Sequence, residues 1–165
     1  MNNKQKLILL FSVVITIIFV NSCSENISYK PKRNKKPSII TVREFNGVIF
    51  SAGCTDIKFD SKRNIDGYWS PSEEDIHATE AAIQNYTVIS QPEIFTRLHK
   101  YGRQYFGIVV KGRKRIYCNF FTNPTKFPSR FSMFVLVLDG GNNYFRIEYD
   151  IDSKTCLDFL PNGPA

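Results

Sequence analysis

The chain has 165 residues, and its 22 lysines and arginines exceed its 15 aspartates and glutamates to give a formal net charge of +7. This excess lies near the start of the chain, because residues 38–165 carry 15 basic and 14 acidic side chains. A nucleic-acid-binding domain is expected to hold its basic excess on a folded face. The near-neutral balance of residues 38–165 therefore excludes nucleic acid as the expected partner, and their number suits one domain with a single core.

The first 23 residues have the order of properties of an export signal. Lys4 and Lys6 precede an apolar run over residues 7–20, and two polar residues separate this run from Cys23. As a helix, the 14 residues of the run would span about 21 Å at roughly 1.5 Å per residue. The hydrocarbon core of a bilayer is about 30 Å thick. The pattern therefore predicts a signal peptide rather than a membrane-spanning helix.

The residues Val20, Asn21, Ser22 and Cys23 resemble the lipobox of bacterial lipoproteins, although Asn21 departs from the small residue that is usual at its position. The resemblance implies that the Cys23 thiol takes a diacylglyceryl group and that the chain is cleaved before it. Two or three acyl chains would anchor the protein to the cell membrane or outer membrane, facing the periplasm or the exterior. The alternative is a plain secretory peptide or an uncleaved anchor, in which Cys23 has no special role.

Composition divides the chain into three predicted parts. Residues 1–22 form the signal peptide. Residues 23–37 are polar and basic and contain two prolines, which is typical of a flexible tether. Residues 38–165 form a single globular domain.

The helix signals of the domain are local. Ser70 is predicted to cap a helix with Pro71 at its first position and Glu73 at its third, and apolar spacing continues the helix to about Asn85. Residues 92–100 are predicted to form a second, shorter helix.

Alternation of apolar and polar residues with a period of two predicts the strands. They cover residues 44–50, 55–59, 104–110, 113–121, 144–149 and 155–160, with a hairpin turn at Lys111 and Gly112. Residues 132–138 are apolar on both faces, which is typical of a central strand.

A helix followed by an antiparallel meander predicts an α+β fold, with one main N-terminal helix packed on a curved antiparallel sheet. This outline is similar to cystatin-like domains. The stretches that follow the helix also resemble a group of uncharacterised small bacterial proteins, and this resemblance implies no activity. They are residues 101–108, 116–121, 139–141 and 144–150.

Apart from Cys23, the chain contains Cys54, Cys118 and Cys156. An export signal implies a compartment in which disulfides persist. A disulfide between Cys54 and Cys156 is the favoured pairing, because Cys118 shares strand parity with the apolar residues Ile116 and Phe120. Three unpaired buried thiols remain the alternative.

No motif for a metal or a cofactor is complete. The stretch that begins at Asp150 opens like a calcium loop, but Lys154 and Pro161 occupy the fifth and twelfth positions, where an oxygen ligand and a glutamate are required. His77 and His99 are the only histidines, and spacing places no third zinc ligand near either. We therefore expect no metal and no cofactor.

Aromatic residues make up 14% of the sequence, so we expect some of them to lie on the surface. They are predicted to line a concave face of the sheet that binds a peptide, a glycan or a small apolar ligand. Their alternative role is to cover the rim of the core. The residues concerned are Tyr68, Trp69, Tyr101, Tyr105 and Tyr117.

No turn motif presents a nucleophile to a histidine, so spacing assembles no catalytic set. The sequence therefore favours a lipid-anchored envelope protein that binds a partner, either an envelope protein or a glycan, without catalysis. The alternative is a hydrolase of envelope polymers that uses the carboxylates of Glu80, Asp139 or Glu148. Two such carboxylates about 5–10 Å apart in one pocket would favour the hydrolase.

Overall fold

The computed structural model describes residues 38–42, 45–54 and 64–163. The signal peptide, Cys23, the tether and the predicted strand over residues 55–59 lie outside the described residues. The helices are α1 (Glu73–Ser90) and α2 (Pro92–Phe95). The strands are β1 (Ser38–Val42), β2 (Phe45–Phe50), β3 (Gly67–Trp69), β4 (Tyr101–Val110), β5 (Arg113–Thr122), β6 (Tyr144–Asp150) and β7 (Thr155–Pro161).

The described strands form one sheet around the β4–β5 hairpin. Their order is β1-β2-β4-β5-β6-β7, and β3 pairs with β4 off this path. The chain therefore has a mixed fold of helices and strands, with six strands in a continuous path. The predicted wholly antiparallel sheet is wrong at one pair, because β2 and β4 run parallel. A parallel pair needs a long crossover connection, and the chain through β3, α1 and α2 provides it.

The hairpin between β4 and β5 turns at the predicted residues. Lys111 and Gly112 both have positive φ angles, 51° and 73°, which is the conformation of a two-residue type I′ turn. This turn fixes the register of the two longest strands, so that Tyr101 lies opposite Thr122 and Val110 lies opposite Arg113.

Helix α1 begins later than predicted, because Ser72 and not Ser70 is its N-cap. The Ser72 hydroxyl accepts a hydrogen bond from the Asp75 N–H at 3.1 Å, and the Asp75 carboxylate accepts one from the Ser72 N–H at 2.8 Å. This reciprocal pair is a capping box. The Ser70 hydroxyl instead accepts a hydrogen bond from the Ala52 N–H. The helix also continues past Asn85 to Ser90.

The sheet is buried on both faces. One face packs against α1 through Ile76 and Ile83. The opposite face carries a second apolar cluster, to which Phe106 and Tyr117 contribute their rings. Phe134 covers this second cluster, with its ring centroid 5.6 Å from that of Phe106.

Residues 131–138, called the apolar segment below, cross the face of the sheet opposite α1. The prediction of a central strand over residues 132–138 is wrong, because these residues form no ladder with any described strand. Among the residues that the structure describes, neither helix has both the length and the hydropathy needed to cross a bilayer.

Candidate functional site

A row of four side chains crosses the sheet on the face opposite α1. Strand register places Gln104 of β4 opposite Asn119 of β5, Asn119 opposite Arg146 of β6, and Arg146 opposite Leu160 of β7. Three of these four residues are polar, although the neighbouring rows of the same face hold the rings of the second apolar cluster. The row is therefore a polar strip beside the rings of the second apolar cluster.

The side chain of Gln104 holds the apolar segment on the sheet. Its Nε2 donates hydrogen bonds to the carbonyls of Arg130 and Met133, both at 2.7 Å. Its Oε1 accepts from the Val135 N–H at 2.9 Å and from Asn119 Nδ2 at 3.1 Å. A primary amide has two donor hydrogens and an acceptor oxygen with two lone pairs, so this fully buried side chain is completely satisfied.

Two further side-chain amides complete the attachment of the apolar segment. Asn119 Nδ2 also donates to the Val135 carbonyl at 2.8 Å. Asn162, just after β7, donates from Nδ2 to the Val137 carbonyl. Side chains therefore take the place of a strand ladder for Val135 and Val137, which explains why a strand-like sequence forms no strand here.

The outward side chains of the apolar segment are exposed. Met133, Leu136 and Leu138 are 62%, 66% and 81% exposed, whereas Val135 between them is buried. From Val135 to Leu138 exposure alternates, because side-chain amides hold the main chain of Val135 and Val137 against the sheet. The result is a ledge of aliphatic side chains on the surface, called the leucine ledge below.

A cavity of about 130 Å³ lies between the apolar segment and the ends of β6 and β7. Its wall is apolar on the side of the ledge and polar on the side of the sheet. It is lined by Asn119, Phe134, Val135, Leu136, Val137, Leu138, Arg146, Pro161, Asn162 and Gly163.

Arg146 differs from the other five arginines of the described residues, which all have hydrogen-bond acceptors. Arg146 forms no side-chain hydrogen bond and no ion pair with any described residue, and its Nε is buried without an acceptor. Arg146 as a whole is half-buried, and removal of a charged group from water is costly unless the group is paired. The other five donate as follows: Arg97 to the Glu93 carbonyl, Arg130 to the Phe127 carbonyl, Arg103 to Glu80, Arg113 to Asp150, and Arg115 to Glu148.

Glu80 and Arg103 form a buried ion pair on the other face, between α1 and the sheet. Arg103 Nε lies 3.0 Å from Glu80 Oε1, and the Tyr105 hydroxyl donates to the same oxygen. The guanidinium also donates to the carbonyls of Tyr101 and Leu98. Glu80 Oε2 has no hydrogen-bond partner among the described residues. The pair thus ties α1 to the start of β4.

Burial raises the pKa of Glu80 above its ordinary value, and this effect outweighs the lowering by Arg103, by the Tyr105 hydroxyl and by His77. Burial, with the nearby Glu80 carboxylate, also raises the pKa of Cys118 well above its usual range and the pKa of Cys156 to about 11. Both thiols are therefore protonated near neutral pH, and a protonated thiol is a poor nucleophile.

A second set of ion pairs lies near the hairpin turn. Arg115 pairs with Glu148 at 3.0 Å, and Arg113 pairs with Asp150 at 2.8 Å. Burial of Asp150 opposes its charge, but hydrogen bonds from the N–H and hydroxyl of Ser153, the Arg113 charge and the Asp152 N–H outweigh it, so the pKa of Asp150 is lowered. The basic residues at the end of the hairpin are thus partly neutralised by the neighbouring strand.

The aromatic residues predicted to line a binding surface are core residues instead. Trp69, Tyr101, Tyr105 and Tyr117 are buried, and Tyr68 is partly buried. They are also divided between the two faces, because the first three pack in the cluster under α1 and the tyrosines at 68 and 117 pack in the other cluster. The prediction failed because this sheet has two covered faces, which together bury more rings than one face would.

The cysteines also lie on different faces of the sheet. Cys118 and Cys156 pack in the cluster under α1, whereas Cys54 packs in the opposite cluster. No disulfide joins the three described cysteines. The favoured pairing of Cys54 with Cys156 would have to bridge the two faces, so this structure corresponds to the alternative of three separate thiols.

The carboxylates considered for a hydrolase do not converge. Glu80 projects from α1 onto one face of the sheet, Glu148 lies on the opposite face, and Asp139 is exposed after the apolar segment. His77 and His99 are both exposed. Among the described residues, no three histidine, cysteine, aspartate or glutamate side chains lie close enough to hold a metal ion.

Comparison of the chain with protein-family models, with curated proteins and with solved structures finds no match in any of the three. The function must therefore be argued from the residues of the site.

One feature of the sequence indicates the pairing of Gln104 with Asn119, although the strand predictions did not use it. Gln104 and Asn119 lie at equal distances from the predicted turn at Lys111 and Gly112, so the hairpin register makes them neighbours. Two amides facing each other on an apolar strand pair indicate that another polar group of the chain packs on them, because buried amides are normally hydrogen-bonded. Arg146 gave no such signal, because the long connection between β5 and β6 leaves their register open.

Glu80 is expected to make the stability of the full chain depend on pH. Because its folded pKa is raised above the ordinary value of 4.5, its contribution is most favourable below that value and is lost as pH rises through the folded pKa. The Glu80→Gln variant does not titrate, so we expect its free energy of unfolding to decline less over the same range. Urea unfolding from pH 4 to pH 8 measures this difference.

Two further variants serve as controls for the pH dependence of the Glu80→Gln variant. Glu93→Gln changes an exposed glutamate of α2 and should keep the wild-type pH profile. Arg103→Met leaves Glu80 buried without its cation and should cost about 3–5 kcal/mol when Glu80 is ionised, with a smaller cost at low pH. Identical pH profiles for the wild type and Glu80→Gln would show that the pKa of Glu80 is not raised.

Proposed function

We propose that this chain is a lipid-anchored protein of the cell envelope whose domain binds a protein partner and does not catalyse a reaction. The single observation that carries the binding role is the leucine ledge. Three large aliphatic side chains within six residues are more than half exposed. Contiguous exposed apolar groups on a folded domain are typical of an interaction site.

The anchor part of the proposal is supported by the lipobox-like residues that end at Cys23. An anchor holds the domain within reach of other envelope proteins, and the 14 residues from Ser24 to the end of the tether reach about 45 Å when extended. A partner in the same membrane or in the adjacent layer is therefore accessible to the ledge.

The binding role is favoured over catalysis by the arrangement of the ionisable groups. The two buried glutamates lie on opposite faces of the sheet, and each is paired with an arginine. Cys118 is buried with a raised pKa, and the two histidines are exposed away from it. These groups suit structural roles better than a shared catalytic site.

We also propose that the fold is a variant of the cystatin-like outline. The long helix α1 against the β4–β7 meander supports this outline. The parallel pairing of β2 with β4 and the short strand β3 depart from it.

The anchor predicts a specific loss on Cys23→Ser. Bacterial cells that express the wild-type chain should incorporate labelled palmitate into it and retain it in the membrane fraction. The Cys23→Ser variant should lose the label, because no thiol remains for the diacylglyceryl group. Cys54→Ser is the matched control and should keep the label. Equal labelling of wild type and Cys23→Ser would disprove the lipid anchor.

The binding role predicts crosslinks that depend on position. A photoreactive amino acid at Leu138 should form an adduct with a discrete envelope protein in intact cells. The same amino acid at Ile89 is the matched control, because Ile89 near the end of α1 is equally exposed, at 81%. Mass spectrometry identifies the adducts. Equal adducts from both positions, adducts with glycan alone, or none from Leu138 would contradict a protein partner at the ledge.

A further inference from the structure

The cavity beside the leucine ledge contains a cation for which the described residues supply no anion. We propose that it binds an acidic group of an extended peptide segment in the partner protein, with Arg146 as the residue that receives the carboxylate. This inference rests on the proposed function, since it specifies what the partner presents to the ledge.

Charge is the first argument. Each of the five other described arginines donates a hydrogen bond to a carboxylate or a carbonyl. Arg146 is the only described arginine that does not. Its Nε is shielded from solvent without a hydrogen-bond acceptor. Arg146 lines the cavity, and a guanidinium presents its donors as a rigid fork that matches a carboxylate, so a carboxylate bound there would neutralise the charge.

Size is the second argument. The cavity has a volume of about 130 Å³, whereas pockets for drug-sized ligands occupy roughly 300–1,000 Å³. One water needs about 10–15 Å³ of such space. The cavity is therefore suited to a single side chain or one small group of a larger molecule, and the remainder of that molecule must lie outside, across the ledge.

The third observation concerns the backbone groups of the leucine ledge, and it favours a peptide over a lipid as the ligand. The described residues form no hydrogen bonds with the backbone groups of Leu136 and Leu138, while those of Val135 are bound to Gln104 and Asn119. In strand addition, an extended peptide pairs with such unpaired backbone groups, and these hydrogen bonds give affinity. Pockets that receive every second side chain of the peptide give specificity. An acyl chain would desolvate the same groups without offering them hydrogen bonds.

The test is a peptide selection, which does not depend on the identity of the partner. A displayed library of random octapeptides is selected on the full chain, purified in detergent, with its Arg146→Gln and Arg146→Glu variants in parallel. The wild type should enrich peptides with an aspartate or glutamate at one fixed position and apolar residues at alternate positions. Arg146→Glu should instead enrich lysine or arginine at that position.

The affinity of the most enriched octapeptide, labelled with fluorescein, is then measured by anisotropy. Arg146→Gln should weaken its binding by about tenfold or more, because a hydrogen-bonded charge pair is lost. Arg97→Gln is the matched control, since it removes an arginine that follows α2 and does not line the cavity, and it should bind as the wild type does. Circular dichroism verifies that each variant is folded.

Several outcomes would overturn the inference. They are no enrichment on the wild type, the same sequences on all three proteins, and equal affinity for wild type and Arg146→Gln. Arg146-dependent binding to phosphatidylglycerol vesicles without peptide enrichment would assign the cavity to lipid headgroups and also overturn it. In each case, position-specific protein crosslinks from Leu138 would still stand as support for the proposed function, so the two failures are distinguishable.

Discussion

The organisation of the candidate site depends on one side chain, the amide of Gln104. It is fully buried on an apolar face, and its four hydrogen bonds join two strands to the apolar segment. An unsatisfied buried amide costs free energy, so a segment that satisfies it is held in one place. The position of the leucine ledge and the wall of the cavity both follow from this attachment.

The arginines of the described strands divide into two kinds. Those near α1 and near the hairpin turn are paired within the chain, and their hydrogen bonds connect elements that are distant in sequence. Arg146 has no such pairing among the described residues, although it lies on the same sheet. The paired charges join distant elements of the fold, and the proposed peptide site rests on the unpaired Arg146.

The strands and the main helix could be predicted because their signals are local: alternation along β4 and β5, the turn at Lys111 and Gly112, and apolar spacing in α1. The parallel pair and the two-sided core could not, because they depend on which distant elements meet. The apolar segment shows the limit most clearly. Its sequence has strand character, but its carbonyls at residues 133, 135 and 137 accept hydrogen bonds from side-chain amides instead of from a neighbouring strand, and Leu136 and Leu138 are exposed.

Hydrogen exchange at single amides tests most directly whether side-chain amides hold the apolar segment and leave the backbone groups of Leu136 and Leu138 without partners among the described residues. NMR of the full chain can follow the N–H groups of Val135, Leu136 and Leu138. We expect slow exchange at Val135, whose N–H is bound to Gln104 Oε1, and fast exchange at both leucines. Comparable protection at all three would indicate a regular strand, and fast exchange at Val135 would show that Gln104 does not hold the segment.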